Sequence, residues 1–233
     1  MVKQTRTWRV LEIPSLEYEQ VWELQLALVD ARKDHPGCPD VVMLLEHPAV
    51  FTVGRRGDLT GLRVEEAFLK ARGYELRVVE RGGLITYHGP GQLVCYPVVD
   101  LRANGWKVVD FVGALEEVMI GIARDWGIEA CRNSLNRGVW VGMEKLGSVG
   151  IAVRRGISFH GFALNVATDL TPFSWIDPCG LPGIRMTSME RLGKRASMEQ
   201  VRKHAKSHME AVFHVCLEEI SLQELVDLVR CAR

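Results

Sequence analysis

Cys179 is the residue of this sequence best placed to act as a nucleophile. It lies between Pro178 and Gly180, and a glycine beside a thiol leaves room for a substrate carbonyl to approach. A thiol attacks as the thiolate, and a free cysteine with a pKa of about 8.5 is only a few per cent ionised at neutral pH. The alternative is a small cysteine packed in a loop, and the residues by themselves leave both interpretations open.

A thiol in this setting needs a positive neighbour to react at neutral pH. Lowering its pKa to about 7 requires about 2 kcal/mol of preferential stabilisation of the thiolate. An ammonium group about 4 Å away supplies about 4 kcal/mol at an effective dielectric constant of about 20, before desolvation losses. One nearby lysine is therefore sufficient.

A glycine-rich run from Arg81 to Gln92 is the second feature suited to chemistry. It contains four glycines and one proline in twelve residues, which predicts neither a plain helix nor a plain strand. Glycines let the backbone approach a ligand closely and leave N–H groups free to bind it. Because the run also carries Arg81, Tyr87 and His88, we interpret it as the wall of a binding site.

Two histidines are further candidates for this site. His88 and His160 are each followed by glycine, so that either ring can lie close to the backbone. Either could orient a substrate carbonyl, or could simply hydrogen-bond a loop, and the sequence leaves both roles open.

His204 and His208 stand four positions apart in the C-terminal part of the chain, beside Lys203 and Lys206. Four positions is the spacing at which two helical side chains share a face. We interpret both rings as solvated and predict no metal site.

The composition excludes several classes of protein. The chain has 233 residues, 47% of them hydrophobic and 25% charged, and its formal net charge is zero. A neutral chain is a poor general partner for nucleic acid, although a local basic patch is compatible with it. No apolar run approaches the roughly 20 residues of a membrane span, and Met1 to Glu12 lacks a secretory signal. The six cysteines form no Cys-x-x-Cys pair, which favours reduced thiols and a cytoplasmic location.

Apolar patterns predict strands interleaved with helices, which indicates an α/β or α+β sheet with helices packed on it. Ser15 is a plausible N-cap for a first helix over residues 16–30, and the run 109–126 predicts the clearest helix, ended by Gly127. Two helices with capping boxes at Ser197 and Ser221 close the chain. The predicted strands are 8–13, 41–45, 76–79, 93–99, 139–141, 149–153 and 162–166.

Four blocks of the sequence form a recognisable pattern. They are Glu46–Gly54, the glycine-rich run Arg81–Gln92, the pair Lys145–Ile151 and Ser158–Asn165, and Pro178–Leu181 with Thr187 and Ser188. In these blocks the chain resembles one known family, the lipoyl(octanoyl) transferases, or LipB proteins. The blocks occur in the family's order and span roughly residues 44 to 188, whereas the segment after about residue 196 matches nothing reliable.

The resemblance implies a fold and a domain organisation. The fold is the α/β (α+β) arrangement of biotin and lipoate protein ligases, in which a mixed sheet packs against helices. We expect a single catalytic domain over residues 1–233, with an acyltransferase core over about 1–195 and C-terminal helices over about 196–233 that pack on it.

The resemblance also implies roles for individual residues. Cys179 matches the family's acyl-thioester nucleophile, and Lys145 matches the lysine that activates the thiol and carries its proton. His160 stays a candidate for a supporting role on the residues alone. The implied substrate-binding residues are Arg81, Gly82, Gly83, Leu84, Ile85, Thr86, Tyr87, His88, Ser148, Val149, Gly150, Gly161, Phe162 and Ala163.

The implied activity is transfer of an octanoyl group from acyl carrier protein to a lysine of a lipoyl domain, in lipoate biosynthesis. Implied partners are octanoyl-acyl carrier protein, lipoyl domains of 2-oxoacid dehydrogenases and the glycine cleavage H protein. No cofactor is expected, because exchange of thioesters needs no nucleotide and the sequence has no Gly-x-x-x-x-Gly-Lys-Ser/Thr loop. Two alternatives are an ATP-dependent lipoate or biotin ligase of the same fold, and a non-catalytic protein that binds lipoyl domains.

Overall fold

The computed structural model describes residues 6–55, 57, 59–177 and 183–231. Cys179 and its neighbours in 178–182 lie outside the described residues. The described elements, in chain order, are β1 (Arg6–Glu12), α1 (Tyr18–Asp34), β2 (Val41–Leu45), β3 (Val50–Val53), α2 (Glu66–Ala71), β4 (Glu75–Val78), β5 (Ile85–His88), β6 (Gln92–Val98), α3 (Val108–Asp125), β7 (Cys131–Asn133), β8 (Asn136–Val141), β9 (Glu144–Arg154), β10 (Ile157–Asn165), β11 (Arg185–Met186), α4 (Met198–Phe213), β12 (Val215–Glu219) and α5 (Leu222–Cys231).

A main sheet and a small sheet organise the described part of the chain. The main sheet has the order β12-β1-β2-β6-β10-β9-β8-β7, and β11 pairs with β9 away from this path. It is mixed, because β1 is parallel to β2 and to β12, and β11 is parallel to β9, while β6, β10, β9 and β8 run antiparallel to their neighbours along this order. The small sheet has the order β4-β3-β5.

Helices cover both faces of the main sheet. On one face α3 and α4 bury an apolar cluster together with strand residues such as Trp8, Leu44 and Phe162. On the other face α1 and α5 pack against the alternate residues of the same strands, such as Leu11 and Met43. This α/β layering follows from the period of two along a strand, which sends successive side chains to opposite faces.

The first helix starts later than the sequence predicts. It begins at Tyr18 with Glu17 as its N-cap, and no side chain caps it, so the prediction of a cap at Ser15 is wrong. The reason lies in the preceding backbone: the N–H of Ile13 donates to Leu44 O at 3.0 Å, and that of Leu16 to Glu46 O at 3.2 Å. These bonds keep the chain extended beside the end of β2.

The sequence patterns missed five of the described strands, namely β3, β5, β7, β11 and β12. Strand β5 occupies the middle of the glycine-rich run, where Ile85–His88 pair antiparallel with Val50–Val53. Strand β12 follows α4 directly, because His214 adopts a left-handed conformation with φ of 55° that ends the helix. Cys216 lies exposed in this strand.

Candidate active site

A pocket lies where the two sheets meet, and the glycine-rich run forms much of its wall. It encloses about 530 Å³ of space between atoms, part of it open to solvent. Its walls come from the glycine-rich run, from β9, and from β10. The lining residues are Tyr18, Arg81, Gly82, Gly83, Leu84, Ile85, Thr86, His88, Tyr96, Asn136, Ser148, Val149, Gly150, His160, Gly161, Phe162 and Ala163.

Arg81 and Gly82 attach the glycine-rich run to both sheets. The buried Arg81 guanidinium donates to Thr52 Oγ1 of the small sheet, from Nε at 3.1 Å and from Nη2 at 2.7 Å. The next peptide reaches the main sheet, where Gly82 N–H donates to Ile151 O at 2.9 Å. Gly54 allows this close approach, because a Cβ there would lie 2.4 Å from Gly83 O.

Two facing glycines make room for the pocket between β9 and β10. Gly150 and Gly161 are cross-strand partners. A Cβ at Gly161 would lie 1.9 Å from Cys95 O, and one at Gly150 would lie 2.9 Å from Gly82 O. Any side chain at these positions would therefore push the strands apart or close the pocket, which explains why both positions are glycine.

Buried histidine and tyrosine rings gather beside the pocket. The ring of Tyr18 lies 5.1 Å from that of His47 and 6.1 Å from that of His88, and Tyr96 lies 6.1 Å from His160. Burial lowers the pKa of His47 to about 4 and the pKa of His88 and of His160 to about 3. These rings are therefore neutral near pH 7 and offer an uncharged wall. Neither His88 nor His160 supplies positive charge to a thiolate at that pH.

His160 occupies a backbone conformation that is unusual for a residue with a side chain. Its φ is 55°, and strained positions of this kind concentrate at functional sites. Its N–H donates to Gln25 Oε1 at 2.7 Å, so a buried residue of α1 holds the distorted strand. Its buried Nε2 has no hydrogen-bond partner among the described residues, and the side chain lines the pocket.

Lys145 is completely buried in β9. Its Nζ donates to Asn136 Oδ1 at 3.0 Å and lies 5.3 Å from the centre of the Trp140 ring. Gly138 makes room for its stem, because a Cβ there would lie 2.8 Å from Lys145 Cε. Asn136 in turn lines the pocket. Met186, seven positions after Cys179, pairs with Lys145 across β11 and β9.

A buried chain of hydrogen bonds joins His88 to the strand of Lys145. His88 Nδ1 donates to Gln92 Oε1 at 2.7 Å, and Gln92 Nε2 donates to Asn165 Oδ1 at 2.9 Å. Asn165 Nδ2 then donates to the carbonyl of Thr187 at 3.0 Å, and Thr187 N–H donates to the carbonyl of Lys145 at 2.9 Å. Residues from three of the four sequence blocks are thus linked inside the protein.

The structure brings together almost all of the sequence-predicted binding residues. Tyr87 is the exception, since its ring packs in the core of the small sheet beside Phe51 and Phe173. Sequence reasoning missed Tyr18, Tyr96 and Asn136 as lining residues. The local sequence indicates no binding role for Tyr18 or Tyr96, because each occupies a position that the apolar pattern predicts to be buried in a helix or strand.

The comparisons with known proteins agree with this architecture. The model of the lipoyl protein ligase A/B catalytic domain matches residues 17–210, and the chain belongs to that family. It is 44% identical over 221 residues to the octanoyltransferase of Syntrophobacter fumaroxidans, which covers 94% of this chain and 96% of that protein. It is 46% identical over 184 residues to the octanoyltransferase of Desulfotalea psychrophila, covering 78% and 82%. The family resemblance seen in the sequence is confirmed.

Solved structures show the same fold at lower identity. Lipoate-protein ligase A bound with ATP superposes with a TM-score of 0.77 at 19% identity, covering 96% of this chain and 93% of that one. A putative lipoate protein ligase from T. acidophilum with bound lipoic acid gives 0.73 at 20% identity, covering 97% and 93%. The biotin protein ligase of Aquifex aeolicus, in complex with biotin and ATP, gives 0.54 at 11% identity, covering 88% and 70%. The predicted ligase-like α/β fold is therefore confirmed.

No helix in the part of the chain that the structure describes is both long enough and apolar enough to cross a membrane.

Proposed function

We propose that this protein is an octanoyltransferase of lipoate biosynthesis, which moves an octanoyl group from acyl carrier protein to a lysine of a lipoyl domain. The observation that carries the proposal is the narrow pocket built by the glycine-rich run, β9 and β10, with the buried Lys145 behind its lining residue Asn136. Relatives at 40–46% identity named octanoyltransferase support the same activity.

The first half of the reaction moves the acyl group onto the enzyme. The Cys179 thiol loses its proton to the Lys145 amine, and the thiolate attacks the carbonyl carbon of the octanoyl thioester. The bond to the carrier sulfur breaks, and the departing thiolate takes the proton back from Lys145. One thioester replaces another, so the step needs no nucleotide and no cofactor.

The second half forms the product amide. The ε-amine of the lipoyl-domain lysine attacks the Cys179 thioester, Lys145 accepts the proton that this nitrogen loses, and the Cys179 thiolate leaves. Backbone N–H groups of the glycine-rich run are suited to stabilise the oxyanion at the carbonyl in both halves. The neutral histidine rings and the glycines of β9 and β10 suit an uncharged, unbranched acyl chain.

The partners follow from this chemistry. The acyl donor is a thioester, octanoyl-acyl carrier protein. The acceptors are lipoyl domains of 2-oxoacid dehydrogenases and the glycine cleavage H protein. A structural neighbour with a TM-score of 0.76 was solved as a bipartite lipoate protein ligase and its E2 lipoyl domain from Thermoplasma acidophilum, which supports this class of acceptor. We assign the core to about residues 1–195 and place the enzyme in the cytoplasm, where thiols stay reduced.

An ATP-dependent ligase of the same fold is the main alternative. Its acyl-adenylate chemistry needs no cysteine nucleophile, so the two activities differ in whether Cys179 and ATP are required. The ligase structures are at most 20% identical to this chain, whereas the octanoyltransferases exceed 40%. The higher sequence identity to octanoyltransferases favours octanoyl transfer over the ATP-dependent ligase activity.

Intact mass spectrometry tests the proposal. Mixing the protein with octanoyl-acyl carrier protein should add one octanoyl unit, which hydroxylamine should remove and a lipoyl domain should accept without ATP. Cys179→Ser should abolish transfer, while the exposed Cys131→Ser should keep it. Transfer by Cys179→Ser at the wild-type rate would refute the nucleophile, and a requirement for ATP would favour the ligase. A stable complex with lipoyl domains without any acyl transfer would favour the non-catalytic alternative.

A further inference from the structure

Two histidines and an aspartate from two helices meet at the surface, and none of the three lines the pocket described above. Asp125 is the last residue of α3, and His204 and His208 lie one turn apart on α4. Asp125 Oδ2 accepts hydrogen bonds from His204 Nδ1 at 2.5 Å and from His208 Nε2 at 2.7 Å. Their three possible ligand atoms all lie within 4.8 Å of one another.

We propose that Asp125, His204 and His208 form a binding site for one divalent transition-metal ion, of the class of Zn²⁺, Co²⁺ or Ni²⁺. Two imidazole nitrogens with one carboxylate oxygen are a donor set that these ions favour, whereas Mg²⁺ and Ca²⁺ prefer oxygen ligands alone. The metal takes the place of the two hydrogen-bonded protons. Tetrahedral metal bonds of about 2.0–2.2 Å place nitrogen and oxygen ligands about 3.4 Å apart, so the two nitrogens must move away from Asp125 by about 0.7–0.9 Å.

The surroundings hold both imidazole rings in the orientation that binding needs. The His208 ring lies over Gly121 of α3, where a Cβ would come within 2.5 Å of Nδ1, so its Nδ1 edge faces the helix while Nε2 faces Asp125. The His204 ring packs on Trp126 with 4.7 Å between ring centres. Fixed rings reduce the entropy lost when the ion binds.

Solvent can reach the site. The side chains of His204, Asp125 and His208 are 42%, 29% and 26% exposed, which provides an entry path and room for water in the remaining coordination positions. A bound ion would connect the end of α3 to α4 and so fasten the C-terminal elements to the rest of the protein. The role is structural and independent of acyl transfer.

Cobalt titration of metal-free protein tests this site, because Co²⁺ reports its ligands by absorption. The chain should bind one Co²⁺ without a thiolate charge-transfer band, since cysteine is absent from the cluster. The double variant His204→Gln/His208→Gln and the single variant Asp125→Asn should each lose at least tenfold in affinity. Gly121→Ala, which keeps all three ligands but displaces the His208 ring, should also weaken binding. The exposed His35→Gln should bind like wild type.

Thermal unfolding gives a second measurement that does not depend on absorption. At a free metal concentration about 100 times Kd, the wild-type midpoint should rise by roughly 5–10 °C, and the double variant should not respond. Equal Co²⁺ affinity of wild type and the double variant, a thiolate band in the wild type, or no binding by the wild type at millimolar Co²⁺ would each overturn the proposal and leave an ion pair only.

Discussion

Gln92 and Asn165 are 73 positions apart in sequence, yet Gln92 Nε2 donates to Asn165 Oδ1 at 2.9 Å inside the protein. Both side chains are buried. Asn165 uses its own amide group to bind the carbonyl of Thr187, so a single side chain connects the glycine-rich run with the residue that directly follows β11. The two halves of the proposed site are therefore held together by polar contacts as well as by packing.

Asn165→Ala should destabilise the protein and slow transfer. It removes the acceptor for Gln92 and leaves the Thr187 carbonyl buried without this partner, at a cost of about 1–3 kcal/mol for each group. We expect the free energy of unfolding from urea titration to fall by about 2–4 kcal/mol. The surface variant Ser207→Ala should change it by less than about 0.5 kcal/mol. An equally small change in Asn165→Ala would mean that the chain of bonds is not needed for stability.

Lys145→Ala should lower the reactivity of Cys179. If the ammonium stands within a few ångströms of the thiolate, its loss raises the thiol pKa by about one to two units. Alkylation near neutral pH should slow and recover at higher pH, while transfer falls further because the proton carrier is lost. Lys145→Arg should keep part of the thiolate but transfer poorly.

The control for this experiment is the exposed Lys203→Ala on α4, which should behave like wild type. The measurement is the alkylation rate of Cys179 against pH. An unchanged thiol pKa in Lys145→Ala would remove this lysine from the mechanism. Another base would then be required, and the low pKa of His88 and of His160 makes both poor replacements at neutral pH.

Asn136→Ala should reduce transfer by roughly 10- to 100-fold, because it deletes a hydrogen bond to a charged group worth about 1.5–3 kcal/mol. Asn136 lines the pocket and accepts from Lys145 Nζ. The neighbouring variant Leu135→Ala, at a half-exposed position, should leave the rate within twofold. The measurement is kcat of both variants with octanoyl-acyl carrier protein. A wild-type kcat in Asn136→Ala would show that other contacts hold Lys145 in place.

Stability should fall as the pH drops below about 6.5. His47, His88 and His160 have folded-state pKa values of about 4, 3 and 3 because burial disfavours their charged form, whereas an unfolded histidine has a pKa of about 6.5. The unfolded chain then binds more protons, so stability present above pH 6.5 is lost towards pH 4. Each histidine should cost about 1.4 kcal/mol between pH 7.5 and 5.5.

Urea titrations at several pH values measure this slope. His88→Asn should reduce the loss between pH 7.5 and 5.5 by about one third, while the exposed His35→Asn should leave it unchanged. A flat stability between these pH values in the wild type would show that these rings are protonated without unfolding.

Docking of the acidic carrier protein should depend on salt. We expect Arg154 and Arg155, at the turn between β9 and β10, to steer it, with Arg191, Lys194 and Arg195 as the second choice. Arg154 already forms a partly exposed ion pair with Glu80 at 3.0 Å, so Arg155 should contribute more. The apparent KM for octanoyl-acyl carrier protein should rise with ionic strength. The rise should be smaller in the double variant Arg154→Ala/Arg155→Ala than in the wild type. A KM that does not respond to salt would exclude steering and leave the chemistry untouched.

The family resemblance implied most of the residues that line the pocket, and their role in binding substrate stays a prediction. Gly150 and Gly161 must be glycine for strands to approach, and such positions are visible in a linear pattern. The burial of Lys145 cannot be read from the sequence, since it depends on β8 and β11 flanking β9 after folding. The contact of Asn136 with Lys145 cannot be read from it either, because the two side chains meet only when the hairpin of β8 and β9 has formed.

The C-terminal cluster illustrates the same limit. His204 and His208 share a helix face, which the sequence shows, and we interpreted them as solvated. Asp125 lies 79 positions before His204 and meets it only because α3 and α4 pack on the same face of the main sheet. Contacts between helices distant in sequence carry no periodic signal, so this grouping required the structure.

Arg81 is attached to the small sheet and Gly82 to the main sheet, so the pocket lies between two sheets that these adjacent residues connect. Adjacent residues act as a short tether, so the sheets cannot separate without breaking bonds on at least one side.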